Sequence, residues 1–283
     1  MRTSGIGRSG RLLAATLAIS VGSVACVASA NAQQAQPAQP ASEGQFKPAT
    51  FTGFIPRDKL IDSLALVPPP PAEGSAAYTV DDEARRAAVA LRNTARWKLT
   101  VRDSDYRSPN VVDAFACTIG VKISAEATPH LYTLMRRSLI DTGLSTYKAK
   151  IHYNRTRPFV AAKDDTICSP ADADALRKDG SYPSGHAAFG WGWGLILAEM
   201  IPEKANAIFH RGYDFGQSRV LCGVHWQSDV NAGRIVASAA VAQLHSNADF
   251  LKEFQAAKKE VDAALADAKS APDCSLEQQA AAK

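Results

Sequence analysis

The sequence predicts an all-α protein, a single-domain helical bundle. Apolar residues recur with a helical period over most of the chain from residue 81. No segment alternates apolar and polar residues for long enough to make a strand. One stretch, residues 185–200 with Phe189, Trp191, Trp193, Leu195, Ile196 and Leu197, is apolar nearly all round, as a helix at the centre of a bundle must be. No repeat of solenoid period is present, and about 230 ordered residues are enough to enclose one substantial core.

The elements follow in order. Arg2, Arg8 and Arg11 precede an apolar run from Leu12 to about Ala25 that closes on Ala28-Ser29-Ala30 and Ala30-Asn31-Ala32. This is the form of a secretory signal peptide over residues 1–32, and it predicts export to the periplasm with no membrane span after cleavage. Ser20, Gly22 and Ser23 make the run a poor permanent span, and Ser23 stands where a lipobox before Cys26 would carry a branched apolar residue. Residues 33–50 are rich in Ala, Gln, Pro and Ser and read as a disordered leader. A helical domain covers 51–270. It begins with an extended arm at Pro68–Pro71, where each proline fixes φ and removes a donor; the arm crosses the body or reaches a neighbouring subunit of a homo-oligomer.

From Asp81, the residues Ala84, Ala87, Ala88, Leu91 and Ala95 share one helix face, and Leu131, Leu134, Met135, Leu139 and Ile140 do the same until Gly143. Helices are expected over 185–200, 202–220, 226–244, where Ala232, Gly233, Ala237 and Ala240 permit close contact, and 247–268. Residues 271–283 are expected to be a loose tail.

Charge and cysteines narrow the function classes. The net charge of +4 loses three arginines with the signal, which holds no acid, so the exported chain is close to neutral. No basic stripe with interleaved aromatics is present, and no nucleic-acid binding is expected. Cys117, Cys168, Cys222 and Cys274 would remain in an oxidising compartment, and four thiols allow three pairings. Cys222 lies between Arg219 and His225 and packs beneath them, as a bridge or as a small buried apolar residue.

Three short clusters carry chemistry: Lys150-x6-Arg157-Pro158, Pro183-Ser184-Gly185-His186, and Ser218-Arg219-x5-His225-x3-Asp229. Each alone is common. Together they supply three fixed cations, a hydroxyl, two imidazoles and a carboxylate, a set suited to holding a tetrahedral oxyanion and attacking its central atom with a histidine. Lys150 and Arg157 are two helical turns apart on one face, and Pro158 is expected to stop that helix. Lys148 and Arg155 share the spacing but sit round the helix and are expected to be solvated. Ser184, Gly185 and His186 stand at the start of the apolar helix, where unpaired N–H groups favour an anion. Gly185 would let oxygens approach the backbone, and Ser184 is an N-cap, an anion donor, or both. His225 and Asp229, at i and i+4, meet on one face if helical, so that the carboxylate fixes the imidazole tautomer. His130, His152, His210 and His245 have no such context and are left out of the site.

These clusters resemble the signature of the type 2 phosphatidic acid phosphatase and vanadium haloperoxidase superfamily. The words Gly180-Ser181-Tyr182-Pro183-Ser184-Gly185-His186, Ser218 to Val230, and Ile61 to Pro71 are similar to those of bacterial class A non-specific acid phosphatases, and the match spans roughly residues 55–260. The resemblance implies a helical bundle of that type, with small phosphomonoesters as substrates and no metal or other cofactor. It implies that His225 attacks phosphorus, Asp229 orients it, and His186 protonates the leaving group and then activates water. Lys150, Arg157, Ser184, Gly185 and Arg219 would hold the phosphate, and transfer to an alcohol in place of water stays open. Ala187, where many relatives carry a hydroxyl, and residues 117–129, expected to shape the leaving-group side, depart from the pattern. A haloperoxidase would use the same cage. A phosphate-binding protein would need the cations but not the paired histidines, and a membrane lipid phosphatase would need several spans.

Overall fold

A computed structural model describes residues 51–267 and 272–281. The expected signal, leader and Cys26 fall outside them. Among the described residues there is no strand, and the protein is all-α. In chain order the helices are α1 (Ser63–Leu66), α2 (Ala76–Val89), α3 (Ala95–Ser104), α4 (Ala116–Ile119), α5 (Pro129–Leu144), α6 (Tyr147–Tyr153), α7 (Pro158–Ala161), α8 (Ala173–Arg177), α9 (Gly185–Met200), α10 (Ala205–Leu221), α11 (Gln227–Leu244), α12 (Ala248–Ala266) and α13 (Ser275–Ala281).

Helix α9 is the axis, flanked by α5, α10 and α11, with α12 closing on α5. Its all-round apolarity follows from that position. Phe189, Trp193, Ile196 and Leu197 are buried on different faces against Phe115, Phe215, Leu134 and Val241 within one core. Each such side chain contributes about 1.5–3 kcal/mol relative to exposure. The Trp193 indole N–H donates to the Met135 carbonyl at 2.9 Å, so no polar atom is stranded there. At Gly233 of α11 an added Cβ would run into the Ser184 carbonyl and lie 3.3 Å from the Ala188 nitrogen. Only glycine lets α11 come that close to the start of α9.

Expected helices over 185–200, 202–220, 226–244 and 247–268 are present within a few residues, the second opening with a 3₁₀ turn at Pro202–Lys204. Two expectations are corrected, and of the two courses open to the proline arm the structure shows the one across the body. The helical face running through Ala95 is broken between α2 and α3, where Asn93 takes a left-handed φ of 63° and Thr94 caps α3 by accepting from Trp97 N–H. The proline arm lies on its own chain: Val67 packs with Ala149 and Tyr182, and the Tyr182 hydroxyl donates to the Pro68 carbonyl at 2.7 Å. The C-terminal segment is not loose, since α13 packs on α3 and Cys274 is bonded to Cys117. Cys168 pairs with Cys222, so Cys222 is a bridge.

Candidate active site

All three clusters meet in one cleft of about 60 Å³, lined by Lys150, Arg157, Gly185, His186, Arg219 and His225 together with Tyr106, Tyr147, Leu176, Asp179 and Phe189. Lys150 reaches it from α6, but not as the sequence spacing predicts. The helix ends at Tyr153, where Asn154 turns left-handed at φ 38°, and Arg157 is extended. Pro158 is the first residue of α7, a position where its missing N–H is harmless, so it starts a helix and does not stop one. A tight loop, not a shared helix face, brings the two cations together. Gly180 seals that loop: an added Cβ would lie 2.9 Å from both the Asn154 Cα and the Lys150 carbonyl oxygen.

The cations are buried and directed. Lys150 Nζ donates to the Gly180 carbonyl at 2.8 Å. Arg157 donates from Nε to the Leu176 and Asp179 carbonyls, from Nη1 to the Val224 carbonyl, and from Nη2 to Asp179 Oδ2 at 3.0 Å. Arg219 lies against the Cys168–Cys222 bridge, with Nη1 4.0 Å from each sulfur, and its Nε has no partner. Burial lowers the Lys150 ammonium to about 8, and burial together with the Arg157 charge lowers Arg219 to about 10. Three buried cations line the cleft with one carboxylate, Asp179, and so favour an anion there.

The histidines sit on opposite walls. His186 Nε2 is 2.7 Å from the Asp103 carbonyl oxygen. A carbonyl can only accept, so Nε2 carries the proton and Nδ1 is free. His225 Nε2 lies 3.2 Å from Arg157 Nη1. A guanidinium can only donate, so this Nε2 holds the lone pair and the proton is on Nδ1, which faces Asp229 Oδ2 at 3.4 Å. That contact is outside hydrogen-bonding geometry, because His225 precedes α11 and does not lie on its face. The Asp229 carboxylate caps α11 by accepting the Trp226 N–H at 2.8 Å and the Arg155 Nη1–H at 2.6 Å. Both histidines are held well below the usual imidazole range: His186 by burial and then Arg219, His225 by burial and then Arg157 and Lys150.

Ser184 is the N-cap of α9, accepting from the Ala187 N–H at 3.2 Å, and its own hydroxyl proton is left for another partner. Gly185 lines the cleft with its backbone, but an added Cβ would face Thr146 Oγ1 at 3.4 Å and the Gly143 carbonyl. Those are ordinary contact distances, so the packing of α9 against its neighbours does not by itself require glycine here. Ala187 lies in an apolar cluster with Ala88, Val220 and Val230. Residues 117–129 do not reach the cleft; Cys117 and Lys122 line a separate cavity of about 750 Å³ beside α13, and the cleft is bordered instead by Tyr106, Tyr147 and Leu176.

Sequence reasoning missed several contributors. Arg155, expected in solvent, is buried against Asp229 and Asp81, whereas Lys148 is exposed as expected, pairing with Asp62. Asp179 and Asp103 stand in none of the three clusters. Ser218, inside a recognised cluster, donates to Asp103 Oδ2 at 2.8 Å and not to the cleft. His130, His210 and His245 pair with Glu253, Asp214 and Glu199 away from the site, and His152 is exposed.

Comparison with known proteins agrees with this geometry. Residues 127–250, which hold all three clusters, match the PAP2 superfamily model. A non-specific acid phosphatase of Providencia stuartii is 46% identical over 208 residues, covering 73% of this chain and 84% of the relative. The chain belongs to the PAP2 superfamily. Further relatives are an acid phosphatase of Zymomonas mobilis, 41% identical over 77% of this chain and 83% of its own, and a non-specific acid phosphatase of Salmonella typhimurium, 40% identical over 72% and 82%. Among the described residues of this PAP2 protein no helix is long and apolar enough to cross a membrane.

Proposed function

We propose that this PAP2 protein is an acid phosphatase that hydrolyses a broad range of small phosphomonoesters through a phosphohistidine on His225, without a metal ion. The acid phosphatase names of relatives covering most of the chain support the activity. The observation that carries the mechanism is the 3.2 Å approach of Arg157 Nη1 to His225 Nε2. It leaves the Nε2 lone pair facing a cationic cleft, with Asp229 behind the ring.

The substrate phosphate enters among Lys150, Arg157, Arg219, the Ser184 hydroxyl and the Gly185 and His186 amides, and Arg157 turns from Nε2 to a phosphate oxygen. Phosphoryl transfer needs chiefly positioning and charge stabilisation, which fixed cations supply. His225 Nε2 forms the N–P bond as the P–O bond to the leaving group breaks. Burial and Arg219 favour neutral His186; the phosphate charge offsets Arg219 and lets Nδ1 take up a proton, which passes to the departing alkoxide. His186 then removes a proton from water, which attacks phosphorus, breaks the N–P bond and releases inorganic phosphate. An alcohol in the place of that water would give phosphotransfer.

Among the described residues no group of three or more His, Cys, Asp or Glu is placed to hold a metal ion. Full activity is expected in excess EDTA, and orthovanadate should compete with substrate. The deciding experiment is acid quenching during turnover followed by mass spectrometry: an acid-labile phosphate on His225 is expected, and its absence on a time scale that captures the pre-steady state would overturn the mechanism. Export to the periplasm is part of the same proposal and rests on residues 1–32; recovery of a mature chain starting near Gln33 from a periplasmic extract tests it.

A further inference from the structure

Behind Asp229 stands an ion pair that the phosphohistidine path does not itself require. Arg155 Nη1 donates to Asp229 Oδ1 at 2.6 Å and to Ser228 Oγ at 2.7 Å, and its Nη2 donates to Asp81 Oδ2 at 2.8 Å. Asp81 comes from α2, is 2% exposed, and also accepts the Ser228 backbone N–H at 2.8 Å. The Arg155 guanidinium lies over the Trp226 ring at 5.2 Å, and Tyr78 of α2 covers the same ring. The pair is thus held between α2 and the start of α11, with the Arg155 side chain 8% exposed.

Asp229 is 0% exposed, and burial pushes its carboxyl above the ordinary range, with Arg155 as the largest opposing influence. The other charged or titratable groups that act on it are His225, Lys150, Arg157 and Tyr182. Lys150 and Arg157 line the cleft, so a bound phosphate takes up their charge at the moment His225 must react. Arg155 does not line the cleft. It is the cation that remains with Asp229 when substrate is bound.

The consequence concerns a proton. An ionised Asp229 facing Nδ1 at 3.4 Å favours the proton on that nitrogen by its charge and leaves the lone pair on Nε2. A protonated Asp229 gives no such preference, and His225 can then carry its proton on Nε2, where it cannot attack. We propose that Arg155, anchored by Asp81, is a positioning residue for the nucleophile: it keeps the Asp229 carboxylate charged and turned so that His225 holds its proton on Nδ1. This rests on His225 being the nucleophile.

The test uses the whole enzyme with Arg155→Met, Arg155→Lys and Asp81→Asn. Rapid-quench formation of the phosphoenzyme from p-nitrophenyl phosphate should slow by about a hundredfold in Arg155→Met, since a wrong histidine tautomer is very damaging in other triads. KM should change by no more than about threefold. Arg155→Lys should recover part of the rate, and added guanidinium ion should restore part of it to Arg155→Met. In ¹⁵N-histidine NMR spectra the His225 signals should shift toward the Nε2–H tautomer. Should Arg155→Met fail to fold, Asp81→Asn, which frees Arg155 without removing its charge, should show the same shift and a loss of about tenfold. A folded variant with the wild-type tautomer would overturn the proposal, whatever its rate. The tautomer measurement needs no phosphoenzyme, so failure to trap one in the wild type would count against the nucleophile and leave the role of Arg155 decided separately.

Discussion

His186 and His225 are both buried and both held toward the neutral form, yet by different surroundings. The His186 wall is apolar and neutral where it touches the ring: Phe215 stacks on the imidazole at 5.5 Å, Phe189 and Tyr106 border it, and its partner is a backbone carbonyl. The His225 wall is ionic: Arg157 and Lys150 on the cleft side, Asp229, Arg155 and Asp81 behind. A carbonyl fixes the orientation and tautomer of His186 without adding a full charge, which suits a group that must gain and lose a proton. A carboxylate stabilises positive charge growing on His225 as it attacks. The different roles follow from what stands behind each ring.

The largest effect separates the two walls outright. His225→Ala should reduce turnover of every phosphomonoester by at least about a thousandfold while phosphate still binds, because each substrate needs the nucleophile; steady-state rates and phosphate titration check it. Near-normal turnover of a folded variant would erase the distinction.

His186→Ala should be more selective. Phosphorylation by an alkyl phosphate, whose alkoxide needs a proton, should fall by about a hundredfold or more, and that by p-nitrophenyl phosphate much less. Rapid-quench measurement of the first step is needed, since His186 also serves the second. Equal losses for both leaving groups would remove His186 as the acid.

Asp103 sharpens the comparison further. Its carboxylate is bound by Arg211 through both oxygens and by Ser218, while only its backbone serves His186. Asp103→Asn should therefore lower stability by about 3 kcal/mol in urea denaturation, the scale of a broken buried pair. The leaving-group dependence of the folded enzyme should stay as in the wild type. A changed dependence would show that the carboxylate itself acts on His186.

The smallest effect reads the cleft's charge. Lys150, lowered by burial to about 8, is half protonated at pH 8 in the free enzyme. An anion raises it toward its ordinary value, so phosphate binding at pH 8 should take up about half a proton through Lys150. Lys150 is already charged at pH 6 and adds nothing there. Calorimetry in buffers of different ionisation heat measures the uptake, and Lys150→Met should abolish that share of it.

The amino-acid sequence by itself determined the helices and the members of the cleft. The apolar period of 185–200, 202–220, 226–244 and 247–268 is a local property, and each segment became a helix close to those limits. The residue types of the three clusters carry their chemistry with them, so Lys150, Arg157, Arg219, His186 and His225 were legible before any fold was known. Only the tertiary structure decided how they meet. Asn154 ends α6 and turns the Lys150–Arg157 pairing from a helix face into a loop; Arg155 is buried because α2 brings Asp81 across 74 residues to meet it. Asp103 reaches His186 over 83 residues, and the pairings of Cys117 with Cys274 and Cys168 with Cys222 span 157 and 54. Periodicity reports which face of an element is apolar, but which distant charge will stand against that element depends on how the helices pack, and no local pattern encodes it.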